Sequence, residues 1–224
     1  MRSLFLFSHP DDEAFGPAGT ISHLSQSSEV IVVSLCKGDR PGNEHVLHGR
    51  QRAFEQCCKL LGATPVIFNS SDLHLDYHQA LKDIESILKE FKPSKVFTHT
   101  MSDVHIDHTT TGKAVLAACR PTATSTVEEL YMCEIPPSTY WSFGQTEPAF
   151  IPNVYMDISN SFEKKKQALS FYESELYKYP DSRSVEGMEA LARYRGSQVG
   201  FQYAEAFNLV YSLNRLSIDN RSSL

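Results

Sequence analysis

His9, Asp11, Asp12 and Glu13 stand together in HPDDE, directly behind the apolar run Leu4-Phe5-Leu6-Phe7, and a second cluster, His105, Asp107 and His108 in DVHIDH, lies far along the chain. Imidazoles and carboxylates at such short spacings can hold a divalent cation, because a catalytic zinc site takes three protein ligands from His, Asp, Glu or Cys and keeps a position for water and substrate. His9 and Asp12, three apart at a strand end that turns toward a helix, could point at one ion while Asp11 faces elsewhere in the pocket. His108 would complete a His-Asp-His set. Asp11 would then be free to accept a proton from water, the requirement on a general base. His105 could donate to a developing oxyanion, and Asp107 could orient His105, since a carboxylate behind an imidazole fixes its tautomer. The plainer reading makes these residues solvated loop charges, or Asp11 or Asp12 an ordinary helix N-cap. What favours chemistry is the coincidence of two such clusters, each directly behind a strand.

The elements that must position these groups follow from the hydrophobic pattern. Strand-length apolar runs, LFLFS (4 to 8), EVIVVSLCK (29 to 37), PVIFN (65 to 69) and KVFTHT (95 to 100), alternate with helix-period segments: PAGTISHLSQ, HGRQRAFEQCCKLLGA with Gly62 as its stop, and YHQALKDIESILKEF ended by Lys92-Pro93. This alternation predicts an α/β fold, a mainly parallel sheet flanked by helices on both faces in a three-layer arrangement. VEELYMCEIPP and NVYMDIS read as further strands around a turn-rich aromatic stretch, FEKKKQALSFYESEL reads as a helix, and residues 185 to 213 read as helices broken near Gly196 or Gly200. Open sheets of this kind bind ligands at the carboxyl ends of their strands, so HPDDE and DVHIDH are expected at one sheet edge.

With 224 residues, no internal repeat and no low-complexity linker, the chain is expected to form one domain over residues 1–224. Its net charge of −6 gives no general reason to bind nucleic acid or an anionic membrane. No stretch approaches the roughly 18 to 20 apolar residues of a membrane-spanning helix, and five cysteines without a CxxC pair suit reduced thiols in a soluble cytoplasmic protein. GxGxxG is missing behind the first strand, which weakens a dinucleotide-binding reading.

HPDDE after the first strand, with DVHIDH after the fourth, resembles the PIG-L/LmbE family of metal-dependent N-deacetylases, and the likeness extends to the EALARYRG and QYAEAF segments. The resemblance implies a Rossmann-like domain, zinc as the usual metal with iron or cobalt as alternatives, and removal of acetyl from an N-acetylglucosamine-type sugar derivative. It further implies His9, Asp12 and His108 as ligands, Asp11 as general base and His105 as the group stabilising the tetrahedral intermediate. Lys37 to Gly42, including Arg40, resembles the family's glycine-containing loop, and Arg52 with Glu55 matches an RxxE pattern in its second helix, where the arginine would meet substrate hydroxyls or phosphate. Asp72 is a candidate for sugar hydroxyls, and Arg193 and Arg195 for an anionic group on the aglycone. Tyr140, Trp141 and Phe143 could wall a sugar pocket or serve an oligomer contact. His45, His48, His74, His78 and His99 have no complete ligand spacing and are expected to be structural or exposed. Two rival functions are a hydrolase of another amide or ester on the same metal site and a non-catalytic sugar- or nucleotide-binding module.

Overall fold

The computed structural model describes residues 1–39, 44–143 and 149–214. Arg40 and the rest of its loop through residue 43, the side chains of His45 and His48, and the SIDNRSSL segment lie outside the described residues. Four strands follow the expected runs: β1 (Arg2–Phe7), β2 (Glu29–Cys36), β3 (Thr64–Ser70) and β4 (Lys95–His99). Between and after them come α1 (Asp12–Phe15), α2 (Ala18–Leu24), α3 (Glu44–Leu61), α4 (Tyr77–Phe91) and α5 (Ile106–Ala118). Gly62, at φ +81, stops α3 as its freedom to adopt a left-handed conformation allows. Asp76 caps α4 by accepting from Gln79 N at 2.9 Å.

The second part adds β5 (Glu129–Cys133), β6 (Val154–Asp157), α6 (Phe162–Ser170), a short 3-10 turn (Glu173–Glu175), α7 (Val185–Ser197) and β7 (Ala204–Ser212). The sheet order is β3-β2-β1-β4-β5-β7-β6, with every pairing parallel except those of β7. Here the helical expectation for residues 185 to 213 is corrected: α7 ends at Ser197, and Ala204–Ser212 is a strand inserted antiparallel between β5 and β6. Ala204 to Phe207 are buried without interruption, so the polar alternation that marks a half-exposed strand is missing and Ala-Glu-Ala reads by propensity as helix.

Alternating side chains of β1 feed two cores, one on each face of the sheet. Phe5 and Phe7 pack with α2 and α3, whereas Leu4 and Leu6 pack with α4 and α5. Phe5, Phe97 and Tyr131 are in register across β1, β4 and β5, with stacked rings 4.3 and 4.7 Å apart. Such pairs contribute about 0.5–1.5 kcal/mol each beyond area burial, and here they fix β1 against β4. The chain order reverses between those two strands, so the HPDDE and DVHIDH loops leave the sheet side by side at its topological switch point.

Candidate metal centre

HPDDE forms the turn from β1 into α1. Asp11 sits at φ 124, a region a non-glycine residue occupies only under strain, and its carbonyl starts the helix by accepting from Ala14 N and Phe15 N. Its side chain makes no capping bond. The Asp11 carboxylate instead meets Arg183 Nη2 at 2.8 Å and Arg50 Nη2 at 3.4 Å, both at Oδ2. Asp12 Oδ2 accepts from His9 N at 2.8 Å, while its two oxygens face His9 Nδ1 (3.6 Å), His99 Nε2 (3.3 Å) and His108 Nε2 (3.3 Å).

The hydrogen-bond partners of the four imidazoles decide which lone pairs remain. His9 Nε2 is 2.9 Å from Asp107 Oδ2, so a proton held there leaves Nδ1 as an acceptor toward Asp12. His108 Nδ1 stands 3.2 Å from Asp103 Oδ2, which leaves Nε2 as its open lone pair. His99 Nε2 accepts from Ser8 N at 2.9 Å, so that lone pair is already used. His105 Nδ1 accepts from Asp107 N at 3.2 Å, which leaves a neutral His105 with its proton on Nε2.

The electrostatics agree with the neutral rings assigned to His99 and His105, whereas His9 and His108 hold a second proton that a cation would have to displace. Burial, reinforced by repulsion from His108, lowers the pKa of His99 and of His105 to about 4, so both are neutral near pH 7. Burial also opposes protonation of His108, yet Asp12 and Asp103 outweigh it and lift its pKa to about 9. His9 behaves likewise: burial is overcome by its bonds to Asp107 and Asp12, and its pKa rises well above the ordinary value. Asp12 is buried, which alone would raise its pKa, but His108 and His99 carry it far below the usual carboxylate range.

A cleft of about 450 Å³ opens over these groups, lined by His9, Asp11, Asp12, His105 and His108 and, from other elements, by Arg50, Asp72 and Arg183. Among the described residues three sets can bring one ligand atom each within 4.8 Å: His9, His105 and His108; Asp12, His99 and His108; and His9, Cys36 and Asp72. The expected ligands His9, Asp12 and His108 are divided between the first two sets and share His108. Mixed nitrogen and oxygen donors, with His9 and His108 each backed by a carboxylate, fit a divalent transition metal.

Several expected residues take other places. Asp107 does not direct its carboxylate to His105; Oδ2 receives His9 Nε2 and Leu73 N, and only the Asp107 backbone N–H meets His105. Arg52 and Glu55 are exposed on α3, and the buried arginine is Arg50, on the face shared with Phe54, Cys57, Cys58 and Leu61. Arg50 joins Asp72 (2.8 Å), Asp11 and Glu175 (3.9 Å), so Asp72 reaches the cleft as expected, already paired. Arg193 lies on the outer face of α7 bonded to Glu189, and Arg195 is buried in a two-pronged bond to Glu134; neither lines the cleft. Trp141 does line it, Tyr140 turns its hydroxyl to Glu134, and Phe143 is largely exposed. His99 is fully buried beside His108, with rings stacked at 4.0 Å. Sequence reasoning missed Asp103, Arg50 and Arg183. The spacing of Arg50 to Phe54 on the apolar stripe could have revealed the second; the ion pair of Arg183 with Asp11 spans 172 positions and leaves no local trace.

Known proteins resemble this arrangement over most of the chain. Residues 4–119, just over half of the sequence, match the profile of a family described as PIG-L: GlcNAc-PI de-N-acetylase. Over 188 residues the chain is 27% identical to a Bacillus cereus protein named probable N-acetyl-alpha-D-glucosaminyl L-malate deacetylase 2, covering 77% of this chain and 82% of that one. Among solved structures, N,N'-diacetylchitobiose deacetylase from Pyrococcus horikoshii matches with a TM-score of 0.71 at 23% identity, over 93% of this chain and 83% of that chain. GalB, the 4-carboxy-2-hydroxymuconate hydratase of Pseudomonas putida, matches with a TM-score of 0.75 at 18% identity, over 97% and 100%. At these identities the structural likeness speaks for the fold, and the hydratase shows that the fold carries more than one chemistry.

Proposed function

The chain belongs to the PIG-L family, and from that premise we propose that it is a metal-dependent hydrolase that removes the acetyl group from the nitrogen of an N-acetylglucosamine derivative. The observation that carries the reading is the pattern of imidazole lone pairs. Asp107 and Asp103 leave His9 Nδ1 and His108 Nε2 open beside the Asp12 carboxylate, whereas His99 has spent the lone pair that faces the cluster. His9, Asp12 and His108 are therefore the ligands we assign, with zinc as the metal; iron and cobalt suit the same donors. Bound there, the ion would polarise the amide carbonyl and activate water.

Asp11 is the general base: its carboxylate borders the cleft, takes a proton at oxygen and returns it to the departing nitrogen. Arg50 and Arg183 hold that carboxylate at Oδ2 and so fix its direction. His105, neutral with its proton on Nε2, donates to the carbonyl oxygen as negative charge gathers there. The Arg50–Asp72 pair offers donors and an acceptor to sugar hydroxyls. No helix among the described residues is long and apolar enough to cross a membrane, and the five buried, unpaired cysteines fit the reducing cytoplasm we propose as its location.

Acetate release from N-acetylglucosamine derivatives, with bound metal quantified, tests the proposal. Asp11→Asn is expected to keep the metal and lose activity, and His108→Ala to lose both. Undiminished turnover by Asp11→Asn, or tightly bound metal with no acetate from any amino sugar, would overturn it.

A further inference from the structure

The cleft has two chemically different parts. Its floor is built from the imidazoles, carboxylates and guanidinium groups described above, but its mouth carries Leu73 and Trp141 beside Pro136 and Pro137. Leu73 and Trp141 are 56% and 58% exposed. Single exposed apolar side chains are ordinary on protein surfaces, so exposure alone says little. Two further observations separate this pair from that background.

The first is where the two residues come from. Leu73 lies in the loop after β3 and Trp141 in the turn after β5, and those strands stand on opposite sides of the β1–β4 switch point. The loops thus reach the same cleft from its two sides. The second is how firmly each is held. Leu73 is kept at φ 63, a strained value for a leucine, by its N–H bond of 2.7 Å to Asp107. Trp141 donates its backbone N–H to Pro137 O, and Thr139 in the same turn donates to Asp103 at 2.9 Å. Tyr140 next to it bonds Glu134, itself gripped by Arg195 at 2.9 and 2.6 Å. Asp107 and Asp103 are the carboxylates behind His9 and His108, so the apolar mouth is tied to the groups that orient the proposed ligands.

We infer that Leu73 and Trp141 form an aglycone subsite, which receives an apolar alkyl or aryl group attached to the amino sugar. The inference rests on the deacetylase reading and narrows its substrate class. Sugar hydroxyls find partners at Arg50 and Asp72; the mouth offers mainly carbon surface, which gains from covering only by another apolar group.

The test compares methyl, octyl and 4-nitrophenyl N-acetylglucosaminides as substrates of the whole protein. Each methylene covered is worth about fourfold in affinity, so the octyl and nitrophenyl compounds are expected to show KM values at least about tenfold below the methyl compound. In Trp141→Ala that ratio should fall toward one. Equal KM values across the series would overturn the inference, as would a Trp141→Ala variant that raises all three equally, which would make the indole a platform for the sugar ring. Because Trp141 is the single tryptophan of the chain, binding is also read without turnover, by fluorescence quenching of Asp11→Asn with the nitrophenyl glycoside. Saturable quenching, weakened in a variant also carrying Leu73→Ala, supports the subsite even if no acetate is released; that outcome would defeat the deacetylase reading alone. Acetate release without aglycone preference or quenching would defeat the subsite alone.

Discussion

Replacing Asp107 by Asn separates two roles for one carboxylate. Asp107 is 1% exposed, and Oδ2 accepts from His9 Nε2 at 2.9 Å and from Leu73 N at 2.7 Å. Burial alone would raise its pKa, but the bond to His9 and the charge of that ring bring it below the ordinary value. The amide of Asn can still accept from Leu73 N–H, so the loop keeps its anchor while the negative charge behind His9 disappears. His9 is then free to carry its proton on Nδ1, the atom assigned to the ion. Loss of such a carboxylate typically weakens metal binding by about 10- to 100-fold, or about 1.4 to 2.7 kcal/mol. Zinc titration against a chromogenic chelator measures this directly. His105→Ala is the reference: it should keep the metal affinity and lose about 10²- to 10³-fold in kcat, as removal of an oxyanion donor does. An Asp107→Asn protein with unaltered zinc affinity and the kinetic defect of His105→Ala would refute the reasoning and return Asp107 to His105.

Two further substitutions probe the surroundings. Glu13 is fully buried, and burial lifts its pKa from 4.5 to about 7 despite the opposing bonds from Tyr172 and Asp11 N–H. Between those values the folded chain keeps a proton that the unfolded chain releases. Its contribution is therefore fully present below pH 4.5 and is lost as pH rises through about 7, a change of about 3 kcal/mol. Glu13→Gln should remove that slope; denaturant midpoints across the same range, compared for the two proteins, check it, and parallel profiles would rule burial out as the cause. Arg50→Ala leaves Asp11, Asp72 and Glu175 without their shared guanidinium and should cost about 3–5 kcal/mol and nearly all activity, whereas Arg52→Ala should change stability by less than about 0.5 kcal/mol and leave turnover alone. The reverse ranking in melts and acetate assays would restore the RxxE reading.

The two clusters were legible because each follows a short apolar run of strand length, and the parallel topology of β1 and β4 then brings them together. Helix ends were equally readable where a residue type imposes them, as at Gly62 and Lys92-Pro93. The partners of those clusters were less so. Asp103 and Asp107 both sit within DVHIDH, but only coordinates reveal which imidazole each one faces. The family-like RxxE pattern points to Arg52, although the helical stripe through Phe54, Cys57 and Leu61 points to Arg50. Arg183 and β7 depend on tertiary contacts alone: the arginine meets Asp11 across most of the chain, and the continuously buried start of β7, Ala204 to Phe207, lacks the period that identifies strands.

β7 also has a consequence for the order in which the molecule matures. Its Glu205 accepts from Gly19 N at 2.9 Å, from Thr20 N at 2.7 Å and from Lys165 at 2.6 Å, and Lys165 in turn reaches the carbonyl of Gly16. Tyr172 holds Glu13 and Arg183 holds Asp11. The HPDDE turn leaves the ribosome first, yet every one of these clamps is synthesised after the sheet core from β1 to β5. A nascent chain can thus align both clusters on a partial sheet, with Arg50 already beside Asp11, and still lack Arg183, Tyr172 and the Lys165–Glu205 pair. Alignment of the two clusters therefore precedes, in order of synthesis, the contacts that α6, the segment leading into α7, and β7 make with the segment behind β1.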